Sequence, residues 1–200
     1  AKIGEIDASA ALALDGVHAV MSFADFAPLL INPELVVGLP SPAYRQDRNR
    51  PALAHSEATY VGEPIAMVLA SNRHIAEDAA SLVMVDFDPL PAAVDCRDAL
   101  NPDAPLAHTN SEHNLCAEFD MKYGDTEAAF AGAPHVFSEE LMMHRGGSHS
   151  LECRGCVALH EFATDETTLW SSTQMPHSLR TTFIDMTGRS ENSIRIVTPE

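Results

Sequence analysis

Cations are scarce in this chain. Lys and Arg number 12 against 29 Asp and Glu in 200 residues, a formal net charge of −17. Nucleic-acid binding rests on Lys and Arg at phosphates, so this balance argues against it. It equally disfavours an anionic membrane surface, and its plain reading is solubility. Long apolar runs are also missing: none approaches the roughly 20 residues that span a bilayer. The start, Ala1-Lys2-Ile3-Gly4-Glu5, has no initiator Met and no apolar core of a secretory signal. The expectation is therefore a processed or cut piece of a cytoplasmic protein. Four cysteines are too sparse for a disulfide scaffold, and reduced thiols fit that compartment. There is no internal repeat, no low-complexity segment and no H-E-x-x-H metal motif. Gly146-Gly147 lacks the Lys and the spacing of a phosphate loop.

What is present is a globular composition. Hydrophobic residues make up 46%, enough for a proper core in one large or two small domains. A strand is expected at Lys2 to Ile6, and a helix over Ala8 to Leu14 with Asp7 as its cap and Gly16 as its stop. A further strand should run from Val17 to Met21. Prolines and mixed charges from Pro28 to Pro51 read as a long surface loop, with Arg45, Arg48 and Arg50 as its basic cluster. Strands are then expected at Ala58 to Val61 and Ile65 to Ala70, and a helix over Arg73 to Leu82 capped by Ser71 or Asn72. Val83 to Phe87 completes a strand–helix–strand unit that should form a right-handed crossover. The polar stretch Asn101 to Asn114 marks a domain boundary. Beyond it we expect strands at Leu115 to Tyr123, His135 to Met143, Leu151 to Phe162, Thr167 to Ser172 and Ile194 to Val197. A short helix capped by Asp125 and a longer one from Pro176 accompany them. The fold class is α+β.

The segment Trp170-Ser171-Ser172-Thr173-Gln174-Met175-Pro176-His177-Ser178-Leu179-Arg180 stands out. Thr167 to Trp170 favours strand through its Thr pair and Trp. Pro176 suits a first helical position, Leu179, Phe183, Ile184 and Met186 follow at roughly helical spacing, and Gly188 stops the helix. A strand-to-helix corner presents polar side chains and free N–H groups to a ligand. Gln174 sits there with one acceptor and two donors, and taken alone it reads as a satisfied polar residue at a strand end.

Other candidates weigh less. Cys153-Arg154-Gly155-Cys156 is a C-x-x-C, but Cys96 and Cys116 do not supply a second pair for zinc. Inside a strand its thiols would point to opposite faces, which favours a structural role over redox or metal chemistry. His144, His149, His160 and His177 cluster in the second half, and the intervening Arg145-Gly146-Gly147-Ser148 could hold an anion. We read these histidines as hydrogen-bonded or surface groups rather than metal ligands. A nucleophile pair of Cys153 or Cys156 with His177 has no supporting spacing. Glu152 beside Arg154 reads as an ion-paired carboxylate before a catalytic one.

Ordered motifs along nearly the whole chain carry a resemblance. They are Ile6-Asp7-Ala8-Ser9-Ala10-Ala11-Leu12, Asp15-Gly16-Val17-His18-Ala19-Val20, Tyr60-Val61-Gly62-Glu63-Pro64-Ile65-Ala66, Ala76-Glu77-Asp78-Ala79-Ala80 and Val85-Asp86-Phe87-Asp88-Pro89-Leu90-Pro91. In the second half they continue with Gly124-Asp125-Thr126-Glu127-Ala128-Ala129-Phe130, Glu152 with Arg154-Gly155, and Ser172-Thr173-Gln174-Met175-Pro176-His177 with Arg180. The chain resembles a middle piece of the molybdopterin-binding large subunit of the xanthine dehydrogenase, aldehyde oxidase and aerobic carbon monoxide dehydrogenase family.

That resemblance implies an α/β-hammerhead domain over residues 1–108. Residues 109–200 would be the N-terminal part of the first molybdenum-cofactor-binding domain. It implies a cytoplasmic oxidoreductase that hydroxylates an aldehyde or N-heterocycle, or oxidises carbon monoxide, with water as oxygen source. Molybdenum-molybdopterin is the implied cofactor, with iron–sulfur and FAD groups on partner subunits or domains and a small-molecule substrate. Gln174 matches the family Gln whose amide contacts the molybdenum centre. The resemblance places the glycine-rich cofactor loop just past Glu200 and the catalytic Glu further on, so no catalytic residue and no metal ligand falls within these 200 residues, and the piece alone is expected to be inactive. The segment from His144 to Gly155 differs from the more frequent Pro-Met-Glu-Pro-Arg-Gly form and leaves the substrate open. A non-catalytic scaffold or partner domain of the same fold is the alternative, and a Cys-dependent redox or hydrolytic protein is a third reading.

Overall fold

The computed structural model describes residues 1–36, 40–46, 49–143 and 151–199. The chain runs β1 (Lys2–Asp7), α1 (Ser9–Leu12), β2 (Val17–Met21), α2 (Phe23–Phe26), β3 (Glu34–Leu35), β4 (Arg50–Pro51), β5 (Met67–Ala70), α3 (Arg73–Ala80) and β6 (Met84–Asp88). Then come α4 (Thr126–Gly132), β7 (Cys156–Glu161), β8 (Glu166–Ser171), α5 (Pro176–Thr187) and β9 (Ile194–Val197). This is the mixed α+β architecture that the sequence predicts.

The first half is held by pairs of strands rather than one sheet. β1 pairs antiparallel with β6, and β2 pairs antiparallel with β5. The short β3 and β4 form a third pair within the Pro28–Pro51 stretch, so that loop is anchored at its ends. Helices α1 and α3 pack together over the β2–β5 pair, where Ala11 and Ala79 are buried. Asn72 caps α3 by accepting from Ile75 N at 3.1 Å, which satisfies one otherwise unpaired first-turn amide. Gly16 turns the chain at φ +88° before β2, a backbone conformation that side-chain-bearing residues avoid.

The second half holds one three-stranded sheet, ordered β7-β8-β9. β7 and β8 form an antiparallel hairpin with Cys156 opposite Ser171 and Glu161 opposite Glu166. β9 lies parallel to β8, with Thr167 level with Ile194 and Trp170 level with Val197. Parallel neighbours need a crossover, and α5 supplies it. Gly188 ends α5 in the left-handed conformation at φ +70°, its N–H bonded to Ile184 O at 2.7 Å.

Several expectations differ from the structure. The β5–α3–β6 unit is not a crossover, because its two strands belong to different pairs. Ala58 to Val61 is not a strand, since the turn at Gly62 (φ +91°) and Pro64 interrupt it. Leu115 to Tyr123 forms only a single bridge, Tyr44 with Ala117. Residues 135–143 mix apolar residues with Ser138, Glu139 and Glu140 and form no ladder, because no neighbouring strand among the described residues offers its backbone.

Among the described residues, hydrogen bonds join the two halves at several places. Ile31 N and Asn32 N donate to Met186 O at the end of α5, at 2.8 and 3.3 Å. Arg45 pairs with Glu118 at 3.1 Å beside the Tyr44–Ala117 bridge. Glu57 accepts from the backbone N–H and the hydroxyl of Thr109.

The core is small for this length. Among the described residues only Ala11, Leu53, Ala54, Ala79 and Ile194 are buried hydrophobics. The accessible surface is 15,806 Å², against about 9,200 Å² for a globular monomer of this mass. Phe137, Leu141, Met143, Tyr123 and Phe162 are almost wholly exposed. Apolar surface on that scale is unusual for a monomeric soluble protein.

Candidate functional site

The site lies where β8 passes into α5. β8 ends at Ser171, and Ser172, Thr173, Gln174 and Met175 make the corner before Pro176 opens the helix. Thr173 N donates to Ser171 O at 2.9 Å, and the Thr173 hydroxyl accepts from Met175 N at 3.1 Å. That local turn competes with helix and holds residues 173–175 outside it. Pro176 has no N–H to satisfy and a preset φ, so the helix starts there without a side-chain cap. Leu179 N closes the first turn onto Met175 O at 3.0 Å.

Gln174 is exposed at this corner. Its side-chain amide makes no hydrogen bond among the described residues. Two donors and an acceptor are thus presented from a turn whose backbone is fixed on both sides. The position also follows from topology. In sheets with parallel strands, ligands bind in the crevice beyond the strands' carboxyl ends. Gln174 stands three residues beyond the end of β8, and β9 leaves the sheet on the same side.

A cavity of about 610 Å³ opens beside the corner, lined by Glu152 to Cys156, Ser171 and Ser172. The Ser172 hydroxyl donates to Glu152 Oε1 at 2.6 Å. This bond folds the chain that precedes β7 back over the end of the hairpin. Arg154, next to Glu152 in sequence, does not signal this Ser172 contact. A hairpin turning at residues 163–164 carries the signal, since it sets Cys156 opposite Ser171 and brings the chain before β7 towards Ser172.

The other candidates separate in space. Cys153 lies in irregular chain and Cys156 is the first residue of β7, so the opposite-faces argument does not hold: both line the same cavity. His160 sits near the other end of the hairpin, its Nδ1 3.0 Å from Thr167 Oγ1 and its Nε2 3.8 Å from Asp165 Oδ1. Arg189 holds that turn by donating to Asp165 O and Oδ1 at 2.7 and 2.8 Å. His177 is exposed at the start of α5 and borders a smaller hollow of about 190 Å³ with Arg180 and Arg195. Arg180 is engaged by Glu191 at 2.5 Å. His144, His149 and the turn Arg145-Gly146-Gly147-Ser148 lie outside the described residues, as does Arg48. Among the described residues no group of three His, Cys, Asp or Glu side chains could hold a metal ion, and no helix is long and apolar enough to cross a membrane.

Comparison with known proteins assigns both halves. Residues 1–91 match the family model described as the aldehyde oxidase and xanthine dehydrogenase a/b hammerhead domain. Residues 107–200 match the molybdopterin cofactor-binding domain. The whole chain aligns at 34% identity with the carbon monoxide dehydrogenase large chain of Afipia carboxidovorans, and covers 25% of it. It aligns at 32% with the nicotine 6-hydroxylase large subunit of Paenarthrobacter nicotinovorans, and covers 24% of it. Among solved structures, quinoline 2-oxidoreductase from Pseudomonas putida 86 superposes on the whole chain with a TM-score of 0.88 at 32% identity, over 25% of its own chain. Reconstituted CO dehydrogenase from Oligotropha carboxidovorans does so with a TM-score of 0.81 at 33% identity, again over 25% of that chain. The chain therefore spans about a quarter of the length of these relatives. Matched from end to end in sequence and fold, it belongs to the xanthine dehydrogenase, aldehyde oxidase and carbon monoxide dehydrogenase family of molybdopterin-binding large subunits.

Proposed function

We propose that this chain is the part of a molybdenum hydroxylase large subunit that presents Gln174 to a molybdenum-molybdopterin cofactor. The parent enzyme would be an oxidoreductase that hydroxylates an aldehyde or N-heterocycle, or oxidises carbon monoxide, with oxygen from water. The observation that carries this reading is the unbonded Gln174 amide beyond the carboxyl end of β8, in a chain matched on both sides of it. A neutral amide with two donors fits a group that presents oxo oxygens, because it donates without adding charge. The first-turn N–H groups of His177 and Ser178 add donors on the same side. When bound, the cofactor supplies the oxygen and electron transfer that no side chain here provides.

The residues of this chain then have defined tasks. Gln174 orients the cofactor through its amide, and the Thr173 turn and Pro176 fix where that amide starts. The Ser172–Glu152 bond holds the loop before β7 beside the corner. Because Trp170 is level with Val197, the chain after β9 leaves the sheet alongside residues 171–174. A cofactor-binding loop in that direction would reach the same ligand. We place the hammerhead domain at 1–108 and the cofactor-binding part at 109–200. Iron–sulfur and flavin groups on partner subunits or domains would take the electrons in a cytoplasmic complex, and the exposed apolar faces suit burial in that larger assembly.

The test is a pair of measurements. In the parent subunit, Gln174→Ala lowers cofactor retention or turnover by about 10–100-fold, the usual cost of losing such a positioning contact. Purified from cells that make the cofactor, the 200-residue chain carries far less than one molybdenum per chain. An unchanged cofactor content and rate in the variant overturns the role of Gln174. A parent subunit without molybdenum overturns the enzyme reading in favour of a scaffold.

A further inference from the structure

We propose that Cys153 and Cys156 form a redox dithiol that closes reversibly to a disulfide by exchange with a low-molecular-weight disulfide. This inference stands on the cavity and does not depend on the cofactor reading. Both cysteines are exposed and both line the cavity of about 610 Å³. Two features bring them to one mouth. Cys156 opens β7 directly opposite Ser171. Glu152, the neighbour of Cys153, is drawn to the next residue, Ser172, by the 2.6 Å hydrogen bond.

The backbone between the thiols permits closure. Residues 151–155 are irregular, whereas a strand would hold the pair on opposite faces. Gly155 adds freedom, since an added Cβ there would meet nothing within 4 Å. A disulfide needs Cα atoms about 4.4–6.8 Å apart, so residues 153–155, which form neither a turn nor a bend, must curl into a turn to close it. Arg154 lies between the two thiols and lines the same cavity. A closed metal site is the weaker assignment, because no third ligand joins the pair among the described residues.

The step balances within thiol–disulfide exchange. One cysteine thiolate attacks a sulfur of oxidised glutathione, forming a mixed disulfide and releasing one glutathione thiol. The second cysteine thiolate attacks the mixed disulfide, forming the Cys153–Cys156 bond and releasing the second thiol. The two cysteines lose two protons and two electrons, and the external disulfide takes them up.

The parent subunit is purified, equilibrated across a series of reduced and oxidised glutathione, quenched in acid, alkylated, digested and read by mass spectrometry. The expected product is one peptide linking Cys153 to Cys156, lighter by two hydrogens, while Cys96 and Cys116 stay reduced or carry separate glutathiones. Its equilibrium constant in the folded chain exceeds that in urea by about tenfold. Cys153→Ser stops the reaction at a mixed disulfide on Cys156. Separate glutathiones on Cys153 and Cys156, thiols that stay reduced across the series, or a linkage no more favoured folded than in urea each overturn the proposal.

Discussion

Two stretches of this chain follow one pattern, β5–α3–β6 in the first half and β8–α5–β9 in the second. Each is strand, helix, strand with short links. In the first, the strands go to different partners, β5 to β2 and β6 to β1, and α3 covers a two-stranded pair. In the second, the strands lie side by side and parallel, and α5 crosses between them. The helix caps differ accordingly. α3 begins at Asn72, whose side chain satisfies the Ile75 amide. α5 begins at Pro176 with no side-chain cap, leaving its first N–H groups for a ligand. Only the second arrangement creates a crevice at the carboxyl ends of parallel strands, and the exposed Gln174 stands there.

The largest effect should come from the buried residue that joins β9 to the sheet. Ile194 is 4% exposed and is the one large aliphatic buried among the described residues of the second half. Ile194→Ala should cost about 3 kcal/mol, a large share of an ordinary domain's stability. Leu69 on β5 is 40% exposed, and Leu69→Ala should cost less than half as much. Urea unfolding midpoints check the pair. Equal losses would mean that the crossover is no better anchored than the paired strands.

The two turn glycines come next. Gly188 has φ +70°, and an added Cβ would meet Ile31 Cδ1 at 3.1 Å and Cγ2 at 3.3 Å. Gly16 has φ +88°, and its Cβ would meet Ile75 Cδ1 at 2.9 Å. Alanine at either should cost about 1–2 kcal/mol of left-handed strain, and more where the isoleucine cannot move. Gly62→Ala, at φ +91° with nothing within 4 Å, isolates the strain alone. Gly188→Ala differs in one respect, because Ile31 and Asn32 bond to Met186 O beside it. It should also raise proteolytic cleavage around residues 31–32. A smaller loss, about 1 kcal/mol, is expected for Asn72→Ala at the start of α3.

Much of the second arrangement is legible in sequence. Pro176 and Gly188 set the ends of α5 through local chemistry that needs no partner, and Thr167 to Trp170 carries strand propensity. The choice between crossover and separate pairs is not written locally. It depends on which strand lies beside which, a contact between residues far apart in the chain. The same reason explains residues 135–143, expected as a strand but without a ladder. At the site, the corner that carries Gln174 is legible from Pro176 and the strand before it, whereas the Glu152–Ser172 bond spans 20 residues and follows only from hairpin register. A strand is expected from Leu151, but β7 begins at Cys156, so Cys153 escapes the strand's alternation.

The smallest effect separates the two halves by acid. Asp25 at the start of α2 is held below its ordinary value near 3.8, first by the Ser22 hydroxyl and then by the Ser22 N–H. Asp7 before α1 is lowered in the same way by Ser9. A carboxylate whose folded value is depressed adds stability that is present above its unfolded value and is lost as pH falls through the folded one. Both contacts should therefore weaken below about pH 3.8, within the first half. The start of α5 rests instead on the Thr173 hydroxyl and Pro176, neither of which titrates. Carboxyl titration by NMR should place Asp25 below the usual range and move it back in Ser22→Ala. Amide exchange on acidification should rise at residues 23–26 before residues 176–180. The reverse order would show that the corner at Gln174 leans on an acidic group after all, with Glu152 through Ser172 as the first place to look.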